Sequence, residues 1–221
     1  MRVGFVCKGT LSAYKKSQGD SDGETRPSVL IFGFNGLGEV AYERELKGET
    51  RCFEEVATLS KQQKCTVVCG CITNARGHKR KSAIIAEQGR LIGVSDTLHA
   101  VDGDVASGAT LRVYDTSAGK MGVAVADDLA FPEILKSLAV CGSDFIVCPF
   151  GPVAPVHSAL ICAHAYCFGV PIFFCGDGAC MIADATGSIA FSSPQSPVSF
   201  EFETVKEYHL VQTRQRGLYG V

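Results

Sequence analysis

Apolar residues along this chain gather in short closed runs, and only three stretches repeat them at helical spacing. Arg2–Cys7, Ser28–Phe34, Cys65–Ile72, Asp144–Cys148, Val170–Cys175 and Ala179–Ala183 are compact enough to read as buried strands. Ser82–Ala86 and Arg90–Val94 flank Glu87-Gln88-Gly89, a hairpin pattern. Thr110–Tyr114 and Met121–Ala126 likewise flank Ser117–Lys120, with Gly119 as the turn glycine. Gly187–Phe191 adds a further hairpin arm, and Val198–Gln212 contains extended segments. The first helical stretch is Arg51–Gln63, with Phe53, Val56, Ala57 and Leu59 on one side. Phe131–Val140 is opened by Pro132 and closed by Gly142, and His157–Phe168 is stopped by Gly169. Residues 9–27 are polar around Gly-Asp-Ser-Asp-Gly and predict a loop or a poorly formed helix.

Strands alternate with helices, yet hairpins interrupt the alternation. The order predicts an α/β domain with a mixed sheet, or two sheets packed face to face with helices outside. No linker divides residues 1–221, so a single domain is expected.

Composition narrows the function classes. A hydrophobic fraction of 46% with 20% charged residues suits a compact core, and a net charge of −2 offers no field for nucleic acid or an anionic membrane. Lys79, Arg80 and Lys81 form a basic cluster that reads as a solvated turn leading into a strand. No apolar run approaches the ~20 residues of a membrane helix, and the start lacks a signal-peptide pattern, so a cytoplasmic protein is expected. Eleven cysteines, an odd number, then read as reduced and mostly buried thiols. Cys65, Cys69 and Cys71 share a strand face without zinc-ligand spacing, so no metal site is expected.

The most telling stretch is Gly119-Lys120-Met121-Gly122-Val123-Ala124-Val125-Ala126-Asp127-Asp128-Leu129-Ala130-Phe131-Pro132-Glu133. It resembles the carbon–nitrogen hydrolase (nitrilase) superfamily motif G-K-x-G-V-x-I-C-Y-D-x-x-F-P-E, whose cysteine is the nucleophile. Gly122, Val123, Asp128, Phe131, Pro132 and Glu133 match, and the cysteine falls on Ala126. Leu138–Asp144 followed by a strand and Pro149, and Met181-Ile182-Ala183-Asp184-Ala185-Thr186-Gly187, extend the likeness over about residues 28–215. The resemblance implies a four-layer α-β-β-α sandwich, dimerised through an outer helical layer.

It also implies a Glu-Lys-Cys triad in which a base activates a thiolate and a cation stabilises an oxyanion, without a cofactor. Here the three positions fall on Phe34, Asp96 and Ala126. No cysteine lies between Ile72 and Val140, no lysine between Ser82 and Gly119, and no glutamate between Ser28 and Gly38. A small shift in register therefore restores none of the roles.

The strand ends where this fold builds its site still carry candidates. Asp96, Asp102, Asp104, Asp127 and Asp128, if several converge, would make an acidic pocket suited to an amine or a divalent cation; a helix cap at Asp128 and solvated loop aspartates are the plainer reading. Glu133 closes the motif. Cys7, Cys71, Cys148 and Cys175 end predicted strands, where a relocated thiol would need a lowered pKa and an oriented base. His157 and His164 lie on the later helix, as a general base or as surface or interface histidines. The expectation is a nitrilase-fold protein without the thiol-hydrolase triad: a non-catalytic binding or partner subunit, forming a homodimer or a hetero-oligomer with a related chain, with a small amine or amide as ligand. The alternative is a carbon–nitrogen (amide) hydrolase with displaced catalytic residues.

Overall fold

A computed structural model describes residues 1–17 and 26–203. Its elements in chain order are β1 (Arg2–Val6), α1 (Leu11–Ser17), β2 (Val29–Phe32), β3 (Glu39–Ala41), α2 (Tyr42–Leu46), α3 (Cys52–Gln63), β4 (Thr66–Ala75), β5 (His78–Glu87), β6 (Arg90–Asp96), β7 (Val113–Thr116) and β8 (Gly119–Val123). A 3-10 turn (Ala126–Ala130) follows, then α4 (Pro132–Val140), β9 (Phe145–Pro152), α5 (Pro155–Phe168), β10 (Ile172–Asp177), β11 (Ala179–Ala183), β12 (Ile189–Ser193) and β13 (Val198–Glu201).

The strands form two mixed sheets. One runs β13-β1-β2-β4-β5-β6, with β3 beside β4, and the other runs β12-β11-β10-β9-β8-β7. The central pairs β1–β2, β2–β4, β8–β9 and β9–β10 are parallel, and hairpin pairs flank them. This explains the two sequence textures. Strands such as Val29–Phe32, buried at all four positions, are central and covered on both faces, whereas the edge strand β13 alternates between half-buried and exposed positions.

Three apolar clusters define four layers. Phe5, Ile31, Val68, Ile85, Val147 and Phe173 fill the space between the sheets. Leu30, Phe32, Val67 and Ile84 pack outward against Leu11 and Tyr14 of α1 and Val56 and Leu59 of α3. On the far side, Ile146, Ile172 and Phe174 pack against Leu135 and Leu138 of α4 and Ile161 and Ala165 of α5. The expected α-β-β-α sandwich is what the chain adopts.

Several local expectations change. Of the stretch expected as a loop or a poorly formed helix, residues 11–17 form a helix, because Leu11 and Tyr14 cover the outer face of the first sheet. The Lys79–Lys81 cluster lies inside β5, not in a loop. A two-residue turn at Arg76 and Gly77, both with positive φ, closes a β4–β5 hairpin that extends well past Ile72. The 35–50 region holds β3 and α2, and α5 begins at Pro155. Of the extended tail, β13 ends at Glu201, and residues beyond 203 lie outside those described, as do 18–25.

Backbone contacts join the sheets at their strand ends. The Phe34 N–H donates to Phe150 O (3.2 Å), and the Gly178 N–H donates to Cys7 O (2.8 Å). The Cys175 thiol donates to Ile31 O (3.4 Å). Where the chain leaves β2, Gly33 passes over Gly70 of β4 so closely that a methyl on Gly70 would stand 3.0 Å from the Gly33 carbonyl carbon.

Candidate functional site

Strand β8 delivers the chain to Ala126 through a sharp turn. Ala124 still bonds to β9 (Ala124 N–H to Val147 O, 3.0 Å), Val125 is extended, and Ala126 swings to φ 48° before the 3-10 turn. A left-handed backbone costs a residue with a Cβ about 1 kcal/mol, and strand-to-helix elbows of this sort present a side chain at a site. The side chain presented here is a buried methyl group, which has no lone pair to attack with and no proton to give. Ala126 therefore belongs to this elbow and not to the preceding strand.

Asp127, the next residue, meets Lys81. On β5, Ala83 and Ile85 point between the sheets while Ile84 and Ala86 point outward, so the two-residue period sets Lys81 on the inner side. Its Nζ lies 2.7 Å from Asp127 Oδ2 and 2.7 Å from Asp102 Oδ2. Burial works against the Lys81 charge, but hydrogen bonds to the two carboxylates outweigh it and hold the ammonium above its ordinary pKa.

Asp96 takes no part in this contact. It shares the outward side of β5–β6 with Ser82, whose Oγ bonds Asp96 Oδ1 (2.7 Å) and also lies 2.7 Å from Thr73 Oγ1. Arg80 Nε stands 3.9 Å from the same carboxylate. The position assigned to the family lysine is thus part of a polar ladder on the outer face, and the lysine facing Asp127 comes from the neighbouring strand.

Asp128 makes no side-chain cap on α4. Its carboxylate, 1% exposed, instead accepts the Leu98 N–H (2.9 Å) and the His99 N–H (3.0 Å), holding the loop after β6. Burial raises its pKa against the lowering effect of those amides. The His99 ring stacks on Phe131 (4.1 Å), with Nδ1 3.6 Å from Asp128 and Nε2 3.9 Å from the largely exposed Glu133. Asp102 reaches Lys81 from this loop, and Asp104 is exposed. The five aspartates therefore divide between an outer ladder, a salt bridge, a loop anchor and solvent. Among the described residues no group of three or more His, Cys, Asp or Glu side chains is placed to hold a metal ion.

Phe34 is half-buried against the inter-sheet cluster. Beside its loop stands Asp177, at the end of β10, where the Asn35 backbone amide binds the carboxylate and a methyl on Gly33 would come within 3.0 Å of Oδ1. That oxygen is buried without a hydrogen-bond partner among the described residues. Burial raises the Asp177 pKa against the pull of the Asn35 amide. A carboxyl raised in the folded state contributes stability that is complete below its unfolded pKa and is lost as pH rises through the folded value. Asp177→Asn is therefore expected to match the parent near pH 4 and to gain on it toward pH 8, read as urea midpoints across that range.

The candidate thiols are insulated. Cys71, Cys148 and Cys175 are fully buried, and burial drives each far above the ordinary thiol pKa; Asp96 adds to this at Cys71, and Asp128 and Asp127 add to it at Cys148. Cys7 is buried, and its Sγ donates to Gln195 O (3.3 Å). His157 is occupied in its own helix start: Nδ1 accepts the Ala154 N–H (2.9 Å), the ring packs on Phe150 (4.3 Å), and burial lowers its pKa. His164 is buried against Leu129 O (3.0 Å), its pKa likewise lowered by burial. None of these places a base beside a thiolate.

Lys81 and Asp177 are the residues missed by sequence reasoning. The first was legible in principle, since Arg76-Gly77 between two long strand-like runs is a hairpin signal that would have put Lys81 in register with Ala83. Asp177 meets Gly33 only through the packing of one sheet on the other. A separate cavity of about 310 Å³, lined by Asp184, Thr186, Ala190, Phe200, Phe202 and neighbours, opens at the sheet edges and shares no residue with the elbow.

Comparison with known proteins places these features in a family. Residues 27–199 match the carbon-nitrogen hydrolase family model. Over 141 residues the chain is 28% identical to a probable nitrilase of Schizosaccharomyces pombe, covering 56% of this chain and 51% of that protein. Over 128 residues it is 30% identical to the deaminated glutathione amidase of Rattus norvegicus, covering 48% and 39%. The chain thus matches about half or less of the length of these relatives. Among solved structures, Saccharomyces cerevisiae Nit3, a member of branch 10 of the nitrilase superfamily, superposes with a TM-score of 0.72 at 16% identity, covering 90% of this chain and 88% of that one. A cysteine-to-alanine mutant of the Nesterenkonia amidase superposes with a TM-score of 0.71 at 14% identity, with the same coverage. With the matched segment spanning most of its length and both sheets, the chain belongs to the carbon–nitrogen hydrolase family.

Proposed function

We propose that this protein uses the family fold as a binding or partner subunit and does not carry out thiol-based hydrolysis. The observation that carries this reading is the elbow: the chain turns through a left-handed φ at the position of the motif's cysteine, and the residue on that turn is Ala126. An attacking thiolate accounts for much of this chemistry, and Cys7, Cys71, Cys148 and Cys175 have no activating base beside them among the described residues. The ligand is a small amide or amine. In support, a glutamate-to-glutamine and cysteine-to-alanine double mutant of the Nesterenkonia amidase, 13% identical to this chain over 90% of its length (TM-score 0.70), is described in complex with acrylamide. An alanine in such a fold is compatible with holding an amide.

The names of the relatives support the second reading, a carbon–nitrogen hydrolase with displaced catalytic residues. Lys81 would then serve as the cation and Asp177 as the carboxylate. Ammonia release from acetamide, propionamide and longer ω-amides decides between them. No turnover above the uncatalysed rate is expected; saturable turnover abolished by Lys81→Gln would establish the hydrolase instead.

Partnership rests on α5. It has no charged side chain along Pro155–Phe168, and Val156 and Tyr166 are 55% and 56% exposed on a face that also includes Ala159, Ala163 and Cys167. A helix apolar on its outward side suits burial against a second copy or a related chain. The eleven free thiols suit a reducing, cytoplasmic setting, and no described helix is long and apolar enough to cross a membrane.

A further inference from the structure

We propose that Lys81 is the ligand-facing cation of this site, having taken over from β5 the place that the family lysine would hold at the end of β6, and that it binds a carbonyl or carboxylate oxygen of a small amide or acid. This rests on the reading of the elbow as a retained ligand site.

Three observations meet at this residue. The β6 position carries Asp96, which is turned outward and held by Ser82, so nothing at that position delivers a positive charge to the interior. Lys81 is set on the inner side of the adjacent strand, and its ammonium contacts the residue that follows Ala126. An ammonium has three N–H donors. Two are taken by Asp127 and Asp102, and the third has no partner among the described residues.

The two carboxylates give the group its chemistry. They fix Nζ between the elbow and the loop after β6, and they keep it protonated. A fixed, charged donor with one free hydrogen suits an acceptor oxygen. The neighbouring carboxylates favour a neutral amide over a free acid, because an anion would be repelled by both. Lys81 remains 19% exposed, so the third donor is not sealed from solvent.

The test places a reporter thiol on the elbow. In full-length A126C, the alkylation rate of the installed thiol by iodoacetamide is followed against pH, with peptide mass mapping to separate it from the native thiols. Burial and the nearby carboxylates raise the half-point of this thiol and Lys81 offsets them, so the half-point with Lys81 present is expected to lie about one pH unit below that without it. Adding Lys81→Gln should raise it again and slow alkylation at pH 7 about tenfold, while Lys81→Arg should keep it low. The same half-point in all three proteins overturns the assignment, and the arginine variant guards against a simple folding defect. Acetamide is the probe for the ligand. It should protect the installed thiol saturably, with protection lost in Lys81→Gln. Protection that survives Lys81→Gln counts against Lys81 as the contact. A half-point that depends on Lys81 without any protection by acetamide overturns the amide-site reading instead.

Discussion

Replacing Asp128 with alanine is expected to lower the stability of the protein by about 3 kcal/mol, more than any other single change at the elbow. The carboxylate is 1% exposed and is the acceptor for two consecutive backbone amides, those of Leu98 and His99. Its removal leaves two donors facing a cavity, and each unsatisfied buried donor costs about 1–3 kcal/mol. Asp128→Asn separates this effect from that of the charge. Asparagine keeps an acceptor oxygen and avoids ionising in a buried place, where burial already raises the carboxyl pKa. It should stay within about 1 kcal/mol of the parent at pH 7. Urea unfolding of the two variants checks this. Equal losses for alanine and asparagine would mean that the charge, not the pair of hydrogen bonds, anchors the loop.

The second large effect is expected at Lys81. Lys81→Met removes the partner of Asp127, whose carboxylate is 18% exposed. Stranding one member of a fully buried pair costs about 3–5 kcal/mol, but here both groups keep some solvent contact and the Asp102 arm is exposed. A loss of about 2 kcal/mol is therefore expected. Lys81→Met combined with Asp127→Leu should recover at least half of it, since the stranded charge is then gone and methionine and leucine fill similar space. A double variant no more stable than Lys81→Met would show that the pair also organises its surroundings.

How much of this was legible in the sequence depended on the range of the interactions. The four layers were readable because buried parallel strands leave unbroken apolar runs, as in Val29–Phe32, and because the Gly119–Glu133 stretch has specific family spacing. The alanine at the elbow could be read directly from that spacing. Its left-handed backbone could not, since alanine carries no local preference for it. Asp96 was placed at the site by position along the chain, and the pleat then turned it to the other face; a single step in a strand reverses a side chain. Lys81 was hidden by its charged neighbours, which suggested a loop where a long hairpin runs. Helix α1 depended on an outer sheet face that its own polar sequence does not announce.

The hydrogen bonds between the sheets at Phe34, Cys175 and Gly178, two from backbone amides and one from a thiol, have a mechanical consequence. Layers held only by interdigitated side chains can shear slightly as a ligand enters. Here three bonds between layers act as rivets toward the strand ends, so the two sheets keep a fixed spacing there. The segment after β6, by contrast, hangs on side chains alone, those of Asp128 and Lys81, so a substitution that loosens either frees that segment while the two sheets keep their distance.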